Sequence, residues 1–137
     1  MYASDNIGSW QELRDFVERR PDRHWKRMVL EVLSGLERCG VEPFFRAGQS
    51  VSLVIFSTLD HHGLGVEPRV TLVFKPQDAL VRVAFGTENL VFEAPQSETT
   101  VPLNQAVPVI VQSLRRLWIE TQPSRPLPSV LEVESPR

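Results

Sequence analysis

The sequence predicts one α+β domain in the order α-α-β-β-β-β-α, with helices packed on one face of a four-stranded antiparallel meander. Three observations predict it. Apolar residues recur at helical spacing as far as Leu36, the period changes to strict alternation between Val51 and Glu93, and helical spacing returns after Leu103.

The first helix is expected to start at Ser9-Trp10-Gln11-Glu12, which reads as a capping box: hydroxyl and carboxylate each accept the other residue's backbone N–H. Trp10, Leu13, Phe16 and Val17 form its apolar stripe, and Pro21 ends it by pushing Arg20 out of the α region. Asp22 is placed to cap a second helix, whose buried face is Trp25, Met28, Val29, Val32, Leu33 and Leu36. Cys39-Gly40-Val41 supplies its stop, with Gly40 left-handed and Val41 closing back on Leu36. Pro43 prevents continuation.

Four runs read as strands: Val51 to Phe56, Val70 to Phe74, Leu80 to Phe85 and Leu90 to Glu93. Phe44 and Phe45 are either a short extra strand or a plug at the edge of the core. Pro76 to Ala79 and Gly86 to Asn89 have hairpin length and turn composition. If Lys75 faces Leu80 and Phe85 faces Leu90, one register gathers Val70, Leu72, Phe74, Val81, Val83, Phe85, Leu90, Phe92 and Ala94 on one face. It also sets Arg82 opposite Glu93. The other face carries Ser52, Val54, Phe56, Thr71, Val73, Arg82, Ala84, Val91 and Glu93, a mixture rather than a polar surface. Val54, Phe56, Val73 and Val91 are therefore the expected interface residues.

Pro95 to Thr100 reads as a polar loop. Leu103, Ala106, Val107, Ile110, Leu114, Leu117 and Trp118 then form one face of a final helix, over about residues 104–121, with Pro108 confined to its first turn. The domain is read as residues 1–122, and the proline-rich remainder, 123–137, as a disordered tail with Val130 to Val133 as a docking stub.

Composition narrows the function. The 137 residues are 42% hydrophobic and 23% charged, enough to bury a core without a disulfide or metal. A net charge of -2 argues against a dedicated binder of nucleic acid or of an anionic membrane. Cys39 is the only cysteine, which fits a reducing compartment, and the N-terminus has neither the basic nor the apolar region of a secretory signal. No run is long enough to span a bilayer, so the expected location is the cytoplasm.

Asp60-His61-His62, after the strand VSLVIF and before Gly63, is the sharpest candidate for chemistry, since carboxylate and imidazole suit Zn²⁺ or Mn²⁺. The triplet resembles the signature of the DHH phosphoesterases, which implies a two-metal centre. That family also uses upstream aspartates and a second domain, whereas Asp5, Asp15 and Asp22 here lie in or near helices. Adjacent histidines are equally at home in an exposed loop without function.

Arg14, Arg19, Arg20, Arg23, Lys26 and Arg27 form a basic cluster, but Glu12, Asp15, Glu18 and Asp22 are interleaved with it, as on a solvated helix face. No RNP, KH or zinc-finger pattern accompanies it. The order of elements resembles the double-stranded-RNA-binding fold, yet the last helix starts with Leu103-Asn104-Gln105 and not with lysines. Cys39 sits at a helix C-terminus, where the dipole disfavours a thiolate. Small secretion chaperones and immunity-type inhibitors share this general architecture. The expected function is thus a non-enzymatic binding or adaptor module without a cofactor, acting on a protein partner or as a homodimer. The alternative is a small metal-dependent hydrolase using Asp60, His61 and His62.

Overall fold

The structure, a computed structural model, describes residues 2–50, 53–58, 67–87 and 95–132. Helices α1 (Tyr2–Glu18) and α2 (Arg23–Arg38) lead through a 3₁₀ turn, Glu42–Phe44, into a sheet of β1 (Arg46–Ser50), β2 (Leu53–Ser57), β3 (Arg69–Lys75), β4 (Leu80–Gly86) and β5 (Ser97–Pro102). A 3₁₀ turn, Leu103–Gln105, precedes α3 (Ala106–Thr121), and a last one covers Ser129–Leu131. The strands are antiparallel and lie in chain order, β1-β2-β3-β4-β5. The class is α+β as expected, with five strands in the sheet instead of four.

α2 forms where its periodicity places it. The Asp22 carboxylate accepts the Trp25 N–H at 3.0 Å, and Met28, Val29, Val32, Leu33 and Leu36 are buried. Gly40 takes φ +78° and its N–H donates to Glu37 O, while Val41 is buried behind it. α1 begins seven residues before the expected cap, so Ser9 lies inside the helix. Its hydroxyl donates to Asn6 O at 2.5 Å and has a tertiary task described below.

The β3–β4 hairpin has the expected register: Lys75 pairs with Leu80, Phe74 with Val81, Leu72 with Val83 and Val70 with Phe85. All of these core-facing residues except the Lys75–Leu80 pair at the turn are buried. The β2 register corrects the other expectation. Val54 pairs with Leu72 and Phe56 with Val70, so both point into the core and are fully buried. No short turn ties β2 to β3, and a strand that is apolar in both parities, Val54-Ile55-Phe56, does not reveal which parity faces inward.

The fourth expected strand, Leu90 to Glu93, lies outside the described residues. The far side of β4 is instead taken by Ser97–Pro102, with Phe85 opposite Ser97, Val83 opposite Thr99 and Arg82 opposite Thr100. Arg82 makes its ion pair with Glu98. β5 occupies most of what reads as a polar loop, because Thr-Thr-Val favours extended backbone but its exposed side chains carry no alternation. β1 is hidden for the same reason: in Arg46-Ala47-Gly48-Gln49-Ser50 only the small Ala47 turns into the core.

α1 packs on β1, α2 on β3, and α3 on β3 and β4, so one cluster joins all three helices to the inner sheet face. α2 and α3 meet at Gly35, where an added Cβ would lie 2.6 Å from Val107 Cγ2. The chain after α3 packs back on it as far as Leu131. The Trp118 indole N–H donates to Pro126 O at 3.2 Å, Arg125 lies over the Trp118 ring, and Leu131 is fully buried. Of the expected stub Val130 to Val133, Leu131 is buried in the core and Val133 lies outside the described residues; residues 123–132 lie along α3 as a strap.

Gly35→Ala gains about 1 kcal/mol of helix propensity but must push Val107 aside, at about 1–3 kcal/mol. Urea denaturation should show a net loss of stability, and Val107→Ala in the same chain should restore it. A stabilised single variant would refute the close approach of α2 and α3.

Candidate interaction surface

A sheet of five strands has two edges, each a row of backbone groups in need of partners. α1 lies against the β1 edge. Ser9 Oγ accepts the outward Ala47 N–H at 2.9 Å, and in the segment just before the strand the Trp10 indole N–H donates to Phe45 O at 2.8 Å and Asn6 Nδ2 donates to Pro43 O at 2.9 Å. Positions 6, 9 and 10 share one helix face by their i, i+3, i+4 spacing, so one docking orientation serves all three bonds. Trp10 also stacks on Phe56, with centroids 5.0 Å apart, which fixes the depth of α1 against the core.

The β5 edge has no such cover among the described residues. Ser97, Glu98, Thr99, Thr100 and Pro102 are exposed on both faces of the strand; α3 packs over β3 and β4 and reaches β5 through Arg116, which donates to Ser97 Oγ at 3.0 Å. The phase of the ladder follows from its ends. Leu103 N–H donates to Ala79 O at 2.9 Å, so the pairs Val101–Val81, Thr99–Val83 and Ser97–Phe85 exchange backbone bonds. The N–H and C=O of Glu98 and Thr100 therefore point away from the sheet. Gln96 N–H turns in to Phe85 O at 2.8 Å and Pro102 has no N–H, so this free row is bounded at both ends. Gly86, at φ +134°, allows the tight entry: an added Cβ would lie 2.7 Å from Gln96 N.

On the sheet face away from the helices, Val73 is half-buried, and Ile55, Thr71 and Ala84 are buried. Val54 and Phe56 are not on that face, and Val91 lies outside the described residues. Asp60, His61 and His62 also lie outside them, in the connection from β2 to β3. Among the described residues no group of three His, Cys, Asp or Glu side chains is arranged to hold a metal.

The basic cluster is partly spent on internal contacts: Arg14 pairs with Glu37 across the helices, Arg20 covers the Phe16 ring, and Lys26 Nζ donates to Glu18 O at 3.0 Å. An open cleft of about 750 Å³ between the start of α2 and the β3–β4 turn is lined by His24, Lys75 and Asp78, with Asp22 committed to its cap. Cys39 is exposed at the end of α2. The free β5 edge was missed in the sequence because Thr and Glu at alternating positions look the same in a loop. Its one legible sign was the β-rich Thr99-Thr100-Val101.

Among the described residues no helix is long and apolar enough to cross a membrane. Comparison with protein-family models, with curated proteins and with solved structures finds no match.

Ser9→Ala leaves the buried Ala47 N–H without an acceptor, and an expected loss of about 1–3 kcal/mol follows. Amide exchange locates the effect: Ala47 should exchange faster, whereas a lost helix cap would speed Gln11 and Glu12 instead. Glu42 gives a second test. Burial first and the neighbouring Glu37 carboxylate second raise its pKa above the ordinary 4.5, against the lowering effect of Arg14. A folded pKa above the unfolded one means that ionised Glu42 costs stability, a cost absent below the unfolded pKa and complete once pH has risen past the folded one. Glu42→Gln should therefore raise the unfolding midpoint at pH 7, and the two proteins should converge below about pH 4.

Proposed function

We propose that this protein is a non-enzymatic binding module that works through protein–protein contacts at the β5 edge of its sheet. The observation that supports the reading is the unequal treatment of the two edges. α1 packs along β1 and takes its outward Ala47 N–H on Ser9, while among the described residues no helix packs along β5 in that way and the outward backbone groups of Glu98 and Thr100 have no partner. An unpaired edge is a template for another strand, and a protein that packs a helix along one edge and displays the other has a defined place for strand addition. Main-chain hydrogen bonds supply the attraction, and the bounds at Gln96 and Pro102 limit how far it extends. Val73, half-buried on the sheet face away from the helices, is the apolar residue closest in kind to a supporting contact there.

Site-directed photo-crosslinking in cells tests the proposal. A benzophenone residue introduced at Glu98 should give discrete protein adducts, and the same residue at the exposed Arg27 of α2 should not. No adduct from position 98 would end the reading. So would one equivalent of tightly bound divalent metal on the purified chain that is lost in His61→Ala, since that result supports the hydrolase alternative.

A further inference from the structure

We infer that the strand added at the β5 edge is the β5 of a second copy of this chain, the two related by a two-fold axis through Thr99; the inference rests on the edge reading above and names its partner. The free groups belong to Glu98 and Thr100, one residue either side of Thr99. Antiparallel pairing about Thr99 sets Glu98 opposite Thr100 of the other copy, and Thr100 opposite its Glu98. Both pairs then exchange N–H and C=O, so every free group of the row is satisfied by four hydrogen bonds. Thr99 meets its own counterpart between them, and Thr–Thr is a favourable cross-strand pair.

The neighbouring registers are worse for stated reasons. A shift in one direction sets Glu98 against Glu98, two like charges directly opposed. A shift in the other sets Glu98 against Pro102, which has no N–H, so the Glu98 carbonyl goes without a donor. The self-complementary register is the one that leaves neither fault.

A foreign peptide fits less well. Strand-addition sites read sequence through pockets for alternate side chains. Here residues 97–100 are exposed on both faces of the strand, so the described residues beside them offer no buried pocket wall of their own. The helices allow the pairing too. α3 lies over β3 and β4, so across two β5 strands the paired α3 helices stand at least three strand spacings apart, about 14 Å. That exceeds the 8–10 Å of packed helices, and they do not collide. So small an interface belongs to the weak, reversible class.

Sedimentation velocity from about 10 µM to about 1 mM, the span in which a weak complex fills, should show the wild-type chain moving from monomer toward dimer. Thr100→Pro removes an outward N–H without touching the ladder to β4, and should remain monomeric at the highest concentration with an unchanged circular dichroism spectrum. Exchange of the Glu98 and Thr100 amides in the wild type needs no variant, and should slow at least about tenfold at the upper concentration if a tenth or less of the chains remain unpaired. The register has its own test in a Cys39→Ser background. Opposed Thr99 residues have Cα atoms about 4.5 Å apart, within disulfide reach, so Thr99→Cys should oxidise to a covalent dimer and Val101→Cys should not. A wild-type monomer throughout overturns the second-copy inference, and Glu98 adducts to a different protein would still uphold the edge reading. A dimer whose Glu98 and Thr100 amides exchange at the monomer rate overturns it as well, by placing the interface elsewhere.

Discussion

The architecture turns on the docking of α1 against β1. A strand as polar as Arg46–Ser50 buries little of its own side-chain surface; it is held by its ladder with β2, by the packing of α1 and by the Ala47 N–H bond to Ser9, with the Trp10 bond to Phe45 O just before it. Trp10 joins this docking to the core: its ring stacks on Phe56 while its N–H holds Phe45 O. Phe45 in turn meets Trp118 of α3 edge-on, at 6.1 Å, so the first and last helices share one aromatic chain. Loosening α1 would expose both a row of backbone groups and the aromatic corner beneath it.

The other helices are set by shape more than by polar contacts. Gly35 lets α2 approach α3 closely enough for Val107 to rest on the helix backbone, and the Arg14–Glu37 pair ties α2 to α1 from the opposite side. The strap after α3 then covers Trp118, with Leu131 filling a core position supplied by no other element. All of this material lies on one side of the sheet and over β1 to β4. β5 is held to the sheet by its ladder with β4, by the Arg82–Glu98 pair and by Arg116, whose guanidinium reaches Ser97 while lying over the Phe85 ring. Among the described residues its outward edge is left uncovered because no helix packs along it as α1 does along β1.

Legibility in the sequence followed the strength of local signals. Asp22, Gly40 and the α2 stripe were readable because capping and helical periodicity act within a few residues. The β3–β4 register was readable because a four-residue turn and two alternating strands over-determine it. The Ser9 to Glu12 box was readable as a motif and wrong in its role. The same hydroxyl that could cap a helix is used to hold Ala47 N–H, and only the position of β1 decides between the two. Val54 and Phe56 were assigned to the outer face because the length between β2 and β3 leaves parity undetermined.

What the sequence by itself determined is the α+β class, the second and third helices, and one hairpin with its core face, since these depend on neighbours along the chain. The tertiary structure decided the number of strands, the inward turn of Val54 and Phe56, the docking of the strap and the identity of the free edge. The physical reason is common to all four. Edge strands and straps are stabilised by backbone hydrogen bonds and by contacts with distant elements, and a backbone group has the same chemistry whichever side chain it carries. For that reason a polar stretch such as Ser97–Pro102 becomes recognisable as a strand, and as a free one, only when its neighbours are in place.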